Sequence, residues 1–264
     1  HIVRKNTSYD DQVKLEFMNL SSRLSESEET KQVSISNEFN SDELPDNSIA
    51  YHQVFGIITA DSRWWFSSKR LEIDLQNADS NPAFSVHFVH INSPGGEAWY
   101  LDRLSETMRN LQKPVFVLLE YVCASAGYYI GCHGKLIFAL TQNDTIGCIG
   151  TMVDFYDFEE YYAKLGIKRI KYKAHQSDLK NKKYDDLKAG KPEQYISEVL
   201  DPLAEQFINE VRQSRPALQK LKDDDPVFRG ETFSSNAAIE NGLIDGTCTL
   251  IEAFLKAHQM GCDY

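Results

Sequence analysis

From Ile49 onward the chain alternates short apolar runs of strand length with stretches of helical spacing, and this alternation constrains the fold most. HQVFGIIT precedes SSKRLEIDLQNA, where Leu71 and Leu75 stand four apart behind a possible serine cap. FSVHFVHI leads into the turn SPGG and a predicted helix carrying Trp99, Leu101, Leu104, Met108 and Leu111. PVFVLLE, CASAGYYIG, KLIFAL and the predicted helix DFEEYYAKLG continue the pattern. Pro192 to Arg215 reads as one long amphipathic helix with Ile196, Val199, Leu203, Phe207, Ile208 and Val211 on one side. FSSNAAIENGLID reads as a capped helix stopped by Gly242 before a final strand. Strands separated by helices of roughly 10 to 15 residues predict parallel β-α-β units with right-handed crossovers, hence an α/β fold with added helices.

The first 48 residues break the pattern. Ser21 to Ser48 is rich in Ser, Glu, Asp and Asn and too poor in apolar residues to offset its ordering entropy, so residues 1–48 are expected to form a flexible acidic arm. VKLEFMNL within it is a candidate strand or helix for docking on a partner, and residues 49–264 are expected to form the folded domain. The chain has 28 Lys+Arg against 39 Asp+Glu, a net charge of −11. That balance argues against nucleic acid and against an anionic membrane surface as main partners. Runs such as VFVLLE and KLIFAL are far below the ~18 residues that span a bilayer, and HIVRKNTSYDDQ lacks the apolar core of a signal peptide. The five cysteines, at 123, 132, 148, 248 and 262, form no CxxC pair and no zinc spacing, which suggests reduced thiols in a cytoplasmic setting.

Two loops follow successive predicted parallel strands at their carboxyl ends, where open α/β sheets bind ligands. Asn92-Ser93-Pro94-Gly95-Gly96 follows FVHI; its paired glycines let backbone N–H groups approach a ligand closely, and Ser93, Pro94 and Gly95 are candidates for substrate contact. Its simplest reading is a plain strand-to-helix turn. Cys123-Ala124-Ser125-Ala126-Gly127 follows VFVLLE and opens a helix, placing Ser125 among unpaired N–H donors. Ser125 is a candidate nucleophile there, or merely the N-cap. Cys123 holds the place of the first glycine of the α/β-hydrolase elbow, so that motif is not matched.

Taken together, FVHINSPGGEA, PVFVLLEYVCASAGYYIG, KLIFAL, TIGCIGTM, YYAKLGI and PVFRGETFSSNAAIENGLID resemble the signal peptide peptidase A family of serine peptidases, within the ClpP/crotonase superfamily. The resemblance runs from about Ile49 to Ala257. It implies a ClpP/crotonase-like fold, Ser125 as nucleophile, and an oxyanion hole from the backbone N–H groups of Gly96 and Ala126. It also implies a homo-oligomeric ring, a polypeptide substrate and no cofactor. Lacking a membrane segment, the chain looks similar to soluble members found in bacterial prophages.

The family's base is a lysine some fifty residues past the serine. Aligning the Ala-His pair and the trailing Lys-Asn of IKRIKYKAHQSDLKNKKYDD puts Gln176 at that place. An amide takes up no proton usefully. Lys173 or Lys180 fills the role if the loop is shifted, His175 if the dyad is serine–histidine, or Lys171 if a neighbouring subunit supplies the group. Otherwise the chain is catalytically impaired. A lysine base must sit in an apolar pocket, because free lysine, with a pKa of about 10.4, is only about 0.04% neutral at pH 7.

No metal is expected. His87 and His90 lie three apart on a strand and face opposite sides, His133 falls within the helix after Ser125, and Asp223-Asp224-Asp225 reads as a turn before the next strand. Tyr128 and Tyr129 are expected to pack that helix against the sheet. The leading expectation is a serine endopeptidase that binds substrate as an extended strand beside SPGG. A non-catalytic ring or scaffold protein that binds peptides is the alternative. An acyl-CoA enzyme of the crotonase branch is disfavoured, because no extra basic cradle for the CoA phosphates is present.

Overall fold

The computed structural model describes residues 2–4, 35–36 and 44–264. They fall into two compact units, one of residues Gly150–Phe207 and one made from the chain on either side of it.

The larger unit is built on strands β1 (Ile2–Arg4), β2 (Ile35–Ser36), β3 (Ser48–Phe55), β4 (Ile58–Thr59), β5 (Phe66–Ser67), β6 (Phe84–Ser93), β7 (Val115–Ala124), β8 (Leu136–Ala139), β9 (Thr145–Gly147), β10 (Thr232–Ser234) and β11 (Gly246–Thr247). Among the described residues the main sheet runs β10-β9-β7-β6-β3-β1-β2, with β8 and β11 branching from β7. Every pairing in it is parallel except β9 with β10. The nearly continuous apolar runs of β3, β6 and β7 fit strands covered on both faces, and most of their residues are buried.

Helix Ser68–Ser80 starts at Ser67, whose hydroxyl accepts from the Arg70 N–H, and buries Leu71, Leu75 and Ala78. Helix Leu250–Asp263 begins with a capping box between Thr249 and Glu252. Its Phe254 stacks on Phe88 with ring centroids 4.5 Å apart, and Phe88 stacks on Phe116 in turn. These rings join Ile49, Tyr51, Val86 and Leu118 in one apolar cluster.

Strand β7 changes partner along its length. Phe116–Leu119 pair with β8, whereas Val122–Ala124 pair with β9. At the switch Tyr121 adopts a left-handed φ of 58°, and its N–H donates to the buried Asp144 carboxylate at 3.1 Å. Asp144 also accepts from the N–H and hydroxyl of Thr141.

The unit Gly150–Phe207 contains helix Glu159–Lys164, a 3-10 turn at His175–Ser177, helix Lys182–Lys188, and a helix that passes from Glu193–Tyr195 through a π-turn at Ile196–Leu200 into the first half of Asp201–Ser214. Within Gly150–Phe207 only Phe207 is buried, and Met152, Tyr156, Phe158, Tyr161, Ile170 and Tyr172 all stand exposed. Among the described residues no helix is long and apolar enough to cross a membrane.

The α/β expectation and the parallel β-α-β units are borne out, with several corrections. The helix after SPGG is Leu101–Arg109, so Trp99 and Leu111 lie outside it at either end. HQVFGIIT is split at Gly56, which has φ 77° and ends β3 one residue earlier. The long helix from Pro192 is interrupted by its π-turn. Most of the predicted arm, including VKLEFMNL, lies outside the described residues, but Ile2–Arg4 and Ile35–Ser36 within it are strands of the main sheet. The Asp223–Asp225 turn leads into the 3-10 turn Pro226–Phe228 instead of a strand, with the Asp225 carboxylate accepting from the Val227 N–H at 3.0 Å.

Candidate active site

Ser125 sits where β7 ends and the short helix Ala126–Gly131 begins, with φ 52° and ψ −125°. A non-glycine residue there carries about 1–3 kcal/mol of strain, held only where the surroundings over-determine it. Here they do. The Ser125 N–H donates to the Gly147 carbonyl and its carbonyl accepts from the Tyr129 N–H, both at 2.9 Å. Tyr128 and Tyr129 are buried as expected, and the Tyr128 hydroxyl donates to the Leu243 carbonyl at 2.7 Å. The Ser125 hydroxyl makes no capping bond, so the plain N-cap reading fails and the partly exposed side chain is left available. The backbone thus makes a sharp elbow although Cys123, fully buried, replaces the usual first glycine.

The SPGG loop lies directly against this elbow. A Cβ on Gly95 would stand 2.7 Å from the Ser125 Cβ and 3.0 Å from the Ala124 carbonyl oxygen, and Gly95 has φ 105°. A Cβ on Gly96 would fall onto the Ile58 carbonyl oxygen. Both positions therefore require glycine. Ile58 bridges Gly96 in parallel: its N–H donates to the Gly95 carbonyl and its carbonyl accepts from the Glu97 N–H, both at 2.9 Å. Those bonds leave the Gly96 N–H outside the ladder, on the side away from Ile58. The Ala126 N–H, in the first turn of its helix, has no intrahelical acceptor either. Ser93 is fully buried, with its hydroxyl donating to the Gly56 carbonyl at 2.6 Å and accepting from the Gly95 N–H at 3.1 Å. It braces the loop from beneath, whereas Pro94 and Gly96 are exposed.

The expected base residues all belong to the unit Gly150–Phe207. Lys171 and Lys173 both bind the Asp185 carboxylate, at 2.6 and 3.1 Å, and Lys173 also donates to the Asp178 carbonyl. Those hydrogen bonds hold the Asp185 carboxyl below the usual carboxylate range. An ammonium fixed in an ion pair is the wrong form for a general base. His175 and Gln176 lie exposed in the 3-10 turn, and Lys180 is exposed and makes no ion pair among the described residues.

Other polar groups are committed to structure. His133 is not within the helix after Ser125, which ends at Gly131, but just beyond it, with a buried side chain whose Nε2 lies 2.8 Å from the Glu210 carboxylate that also binds Arg109. Burial alone would lower the His133 pKa, but the neighbouring Cys132 sulfur and Glu210 outweigh that and raise it to about 10. His87 and His90 do face opposite sides of the sheet: His87 meets His52 at 3.1 Å and Asp79 at 3.2 Å, whereas His90 meets the Tyr51 hydroxyl at 2.7 Å.

Sequence reasoning missed the contribution of the Ile58–Ser67 segment, which reaches the site through the Ile58–Gly96 bridge. Gly56 was the available signal, since it breaks the strand just before.

A parallel α/β sheet of this kind, with a strained serine elbow packed on a double-glycine loop, is consistent with a ClpP/crotonase-like fold. Residues 107–261, more than half of the chain, match Peptidase family S49, and the chain belongs to that family. It is 27% identical over 192 residues to a putative signal peptide peptidase SppA of Enterococcus faecium, covering 70% of this chain and 53% of that one. It is 28% identical over 194 residues to Protease 4 of Haemophilus influenzae, covering 70% and 30% respectively. A protein named Na(+)/H(+) antiporter NhaA from Brucella melitensis is 31% identical over 174 residues, 64% of this chain but only 23% of that protein. The chain thus spans about half or less of the length of these relatives.

Proposed function

We propose that this chain is a serine endopeptidase in which Ser125 attacks a peptide carbonyl and forms an acyl-enzyme. The observation that carries this reading is the elbow itself: a strained, uncapped, partly exposed serine packed on Gly95. The developing oxyanion would rest between the N–H groups of Gly96 and Ala126, which lie outside the ladder and helix bonds. The substrate would bind as an extended strand along Gly95–Gly96 by main-chain pairing, with Pro94 at its edge.

The base would be Lys180 or His175, or a group such as Lys171 or Lys173 freed from Asp185 when a second copy of the chain packs on. The exposed apolar side chains of Gly150–Phe207 favour such a homo-oligomer, a ring in the leading form of this reading. The five unpaired thiols are in keeping with a cytoplasmic location.

Gln176, together with the Lys173–Asp185 pair, favours a second reading in which the chain binds peptides without cleaving them. A fluorophosphonate probe separates the two. Labelling of wild-type protein that disappears in Ser125→Ala and in one of Lys173→Met, His175→Ala or Lys180→Met would name the dyad. Absence of labelling in the assembled wild-type protein would leave the scaffold reading.

A further inference from the structure

Glu72, on helix Ser68–Ser80, is buried, and its two carboxylate oxygens serve different partners. Oε1 accepts from the Arg103 Nε at 3.0 Å and from the Thr107 hydroxyl at 3.1 Å, which joins this helix to Leu101–Arg109. Oε2 accepts from the hydroxyl of Tyr100, the residue through which the double-glycine loop enters that second helix. Burial alone would raise the Glu72 pKa, but these three donors and the Arg103 charge hold it below the usual carboxylate range. A buried carboxylate adds little stability over an apolar pair of similar volume, so its use here points to placement. Tyr100 is the group being placed. Its φ of 74° and ψ of −6° are left-handed, a conformation that a bulky side chain keeps only under constraint. The constraints are the bond to Glu72, the Arg103 guanidinium 5.3 Å over the ring, and the Tyr100 carbonyl accepting from the Leu104 N–H at 3.1 Å.

Tyr100 stands four residues past Gly96, at most about 14 Å along the chain. The near end of that stretch is held by the Ile58–Gly96 bridge and by the Glu97 carboxylate, which accepts from the Ala60 N–H at 2.8 Å. The far end is held by Glu72. Both anchors belong to one run of chain, because Ile58–Thr59 pair with Phe66–Ser67 and the Ser67 hydroxyl caps the helix that carries Glu72. A circuit from Ile58 through Glu72 and Tyr100 back to Gly96 is thus closed by hydrogen bonds at each crossing. We propose that Glu72 is a positioning residue: through the Tyr100 hydroxyl it fixes the double-glycine loop, and with it the Gly96 N–H, in register with Ser125. Its effect on Ser125 rests on the peptidase function proposed above; its hold on the loop does not.

The test compares Tyr100→Phe, which keeps the ring and loses the bond to Oε2, with Thr107→Val, which keeps the shape and loses a bond to Oε1. Hydrogen exchange is read at the Ile58 and Glu97 amides, whose bonds make the bridge to the loop. Fluorophosphonate labelling is read as a maximal rate and a half-saturating concentration. Tyr100→Phe should speed exchange about fivefold or more, since a bond to a charged acceptor no longer holds the far end. It should lower the maximal labelling rate about tenfold and leave the half-saturating concentration nearly unchanged, because a displaced oxyanion donor is felt in the transition state. Thr107→Val should leave exchange and labelling within about twofold of wild type even where its Tm falls. Glu72→Gln retains an acceptor for the Tyr100 hydroxyl and should recover most of what Glu72→Ala loses. Where Glu72→Ala fails to fold, Tyr100→Phe decides.

Unchanged exchange in Tyr100→Phe overturns the proposal. Equal effects of Tyr100→Phe and Thr107→Val overturn it too, since Glu72 would then be a tie between two helices and nothing more. Faster exchange in Tyr100→Phe with labelling as fast as in a reactive wild type removes the positioning role at Ser125. A wild-type protein that takes no label sinks the peptidase reading alone, and faster exchange confined to Tyr100→Phe then still upholds the hold of Glu72 on the loop.

Discussion

The main-chain N–H of Ser125 donates to the carbonyl of Gly147 at 2.9 Å, tying the elbow to β9, the strand that β7 acquires only after its partner switch. The elbow is therefore held from below by Gly95 and from the side by Gly147, and each support gives a measurable expectation.

Ser125→Gly should raise stability, because glycine adopts φ 52° and ψ −125° without the strain a Cβ imposes. The net gain is about 1 kcal/mol after glycine's entropy cost, or roughly 2–4 °C in Tm for a domain of this size. Ser125→Ala keeps the strained backbone and should show no such gain. Equal Tm values for the two variants would show that the elbow is not strained.

Gly95→Ala should destabilise the protein and abolish probe labelling. Its Cβ would meet the Ser125 Cβ at 2.7 Å, and φ 105° adds about 1–3 kcal/mol of backbone strain. Wild-type labelling rates in a folded Gly95→Ala protein would contradict the packing of the two loops.

The Glu210 clamp on His133 and Arg109 sets the alkaline limb of stability. The His133 pKa, raised to about 10 from an ordinary 6.5, means that its contribution is complete below about 6.5 and is lost as pH rises through about 10. Glu210, held below the usual carboxylate range by His133 and Arg109 against its burial, contributes above about pH 4.5 and loses that contribution as pH falls further. Thermal melts of wild type should therefore decline between about pH 7 and 10, and Glu210→Ala should remove that decline. Breaking the buried pair should also cost about 3–5 kcal/mol at pH 6.

Between about pH 6.5 and 5 stability has a different source. Burial, with His87 beside it, keeps His52 well below its ordinary pKa, and burial likewise lowers His87 despite the Asp79 carboxylate. The unfolded chain takes up these protons first, so stability is complete above about pH 6.5 and falls as pH drops below it. His52→Phe, which has no proton to gain, should flatten this limb. An unchanged melt profile between pH 6.5 and 5 in wild type would refute the assignment.

Asp144→Ala should reach the site from a distance. It strands the N–H of Tyr121 and both donors of Thr141, at about 1–3 kcal/mol for each donor that stays dry. Slower probe labelling together with a lowered Tm is expected; a lowered Tm with normal labelling would confine Asp144 to stability.

The sheet was legible because β3, β6 and β7 are nearly continuous apolar runs, which parallel strands covered on both faces require. The Ser67 cap and Leu71–Leu75 spacing likewise located a helix correctly. Trp99 misled because it stands two residues before Leu101, off the face that Leu101, Leu104 and Met108 share; apolar character alone enrolled it. The elbow was beyond reach for a different reason. A left-handed serine leaves no compositional mark when tertiary bonds, here from Gly147, enforce it. The π-turn at Ile196–Leu200 was hidden because no residue type marks the change from i→i+4 to i→i+5 hydrogen bonding. The base was not legible because no periodic pattern governs the loop that holds Lys173, His175 and Lys180.

The partner switch of β7 gives the sheet a forked shape, with β8 on one tine and β9 on the other. The short turn joining β8 to β9 is the crotch of that fork, and Asp144 is the pin through it. Lengthening or shortening that turn would re-aim β9 and, with it, the carbonyl that steers Ser125. Under the proposed function, a surface connection that looks free to vary would thereby tune the nucleophile, and homologous chains that differ there should differ in how readily a fluorophosphonate labels their serine.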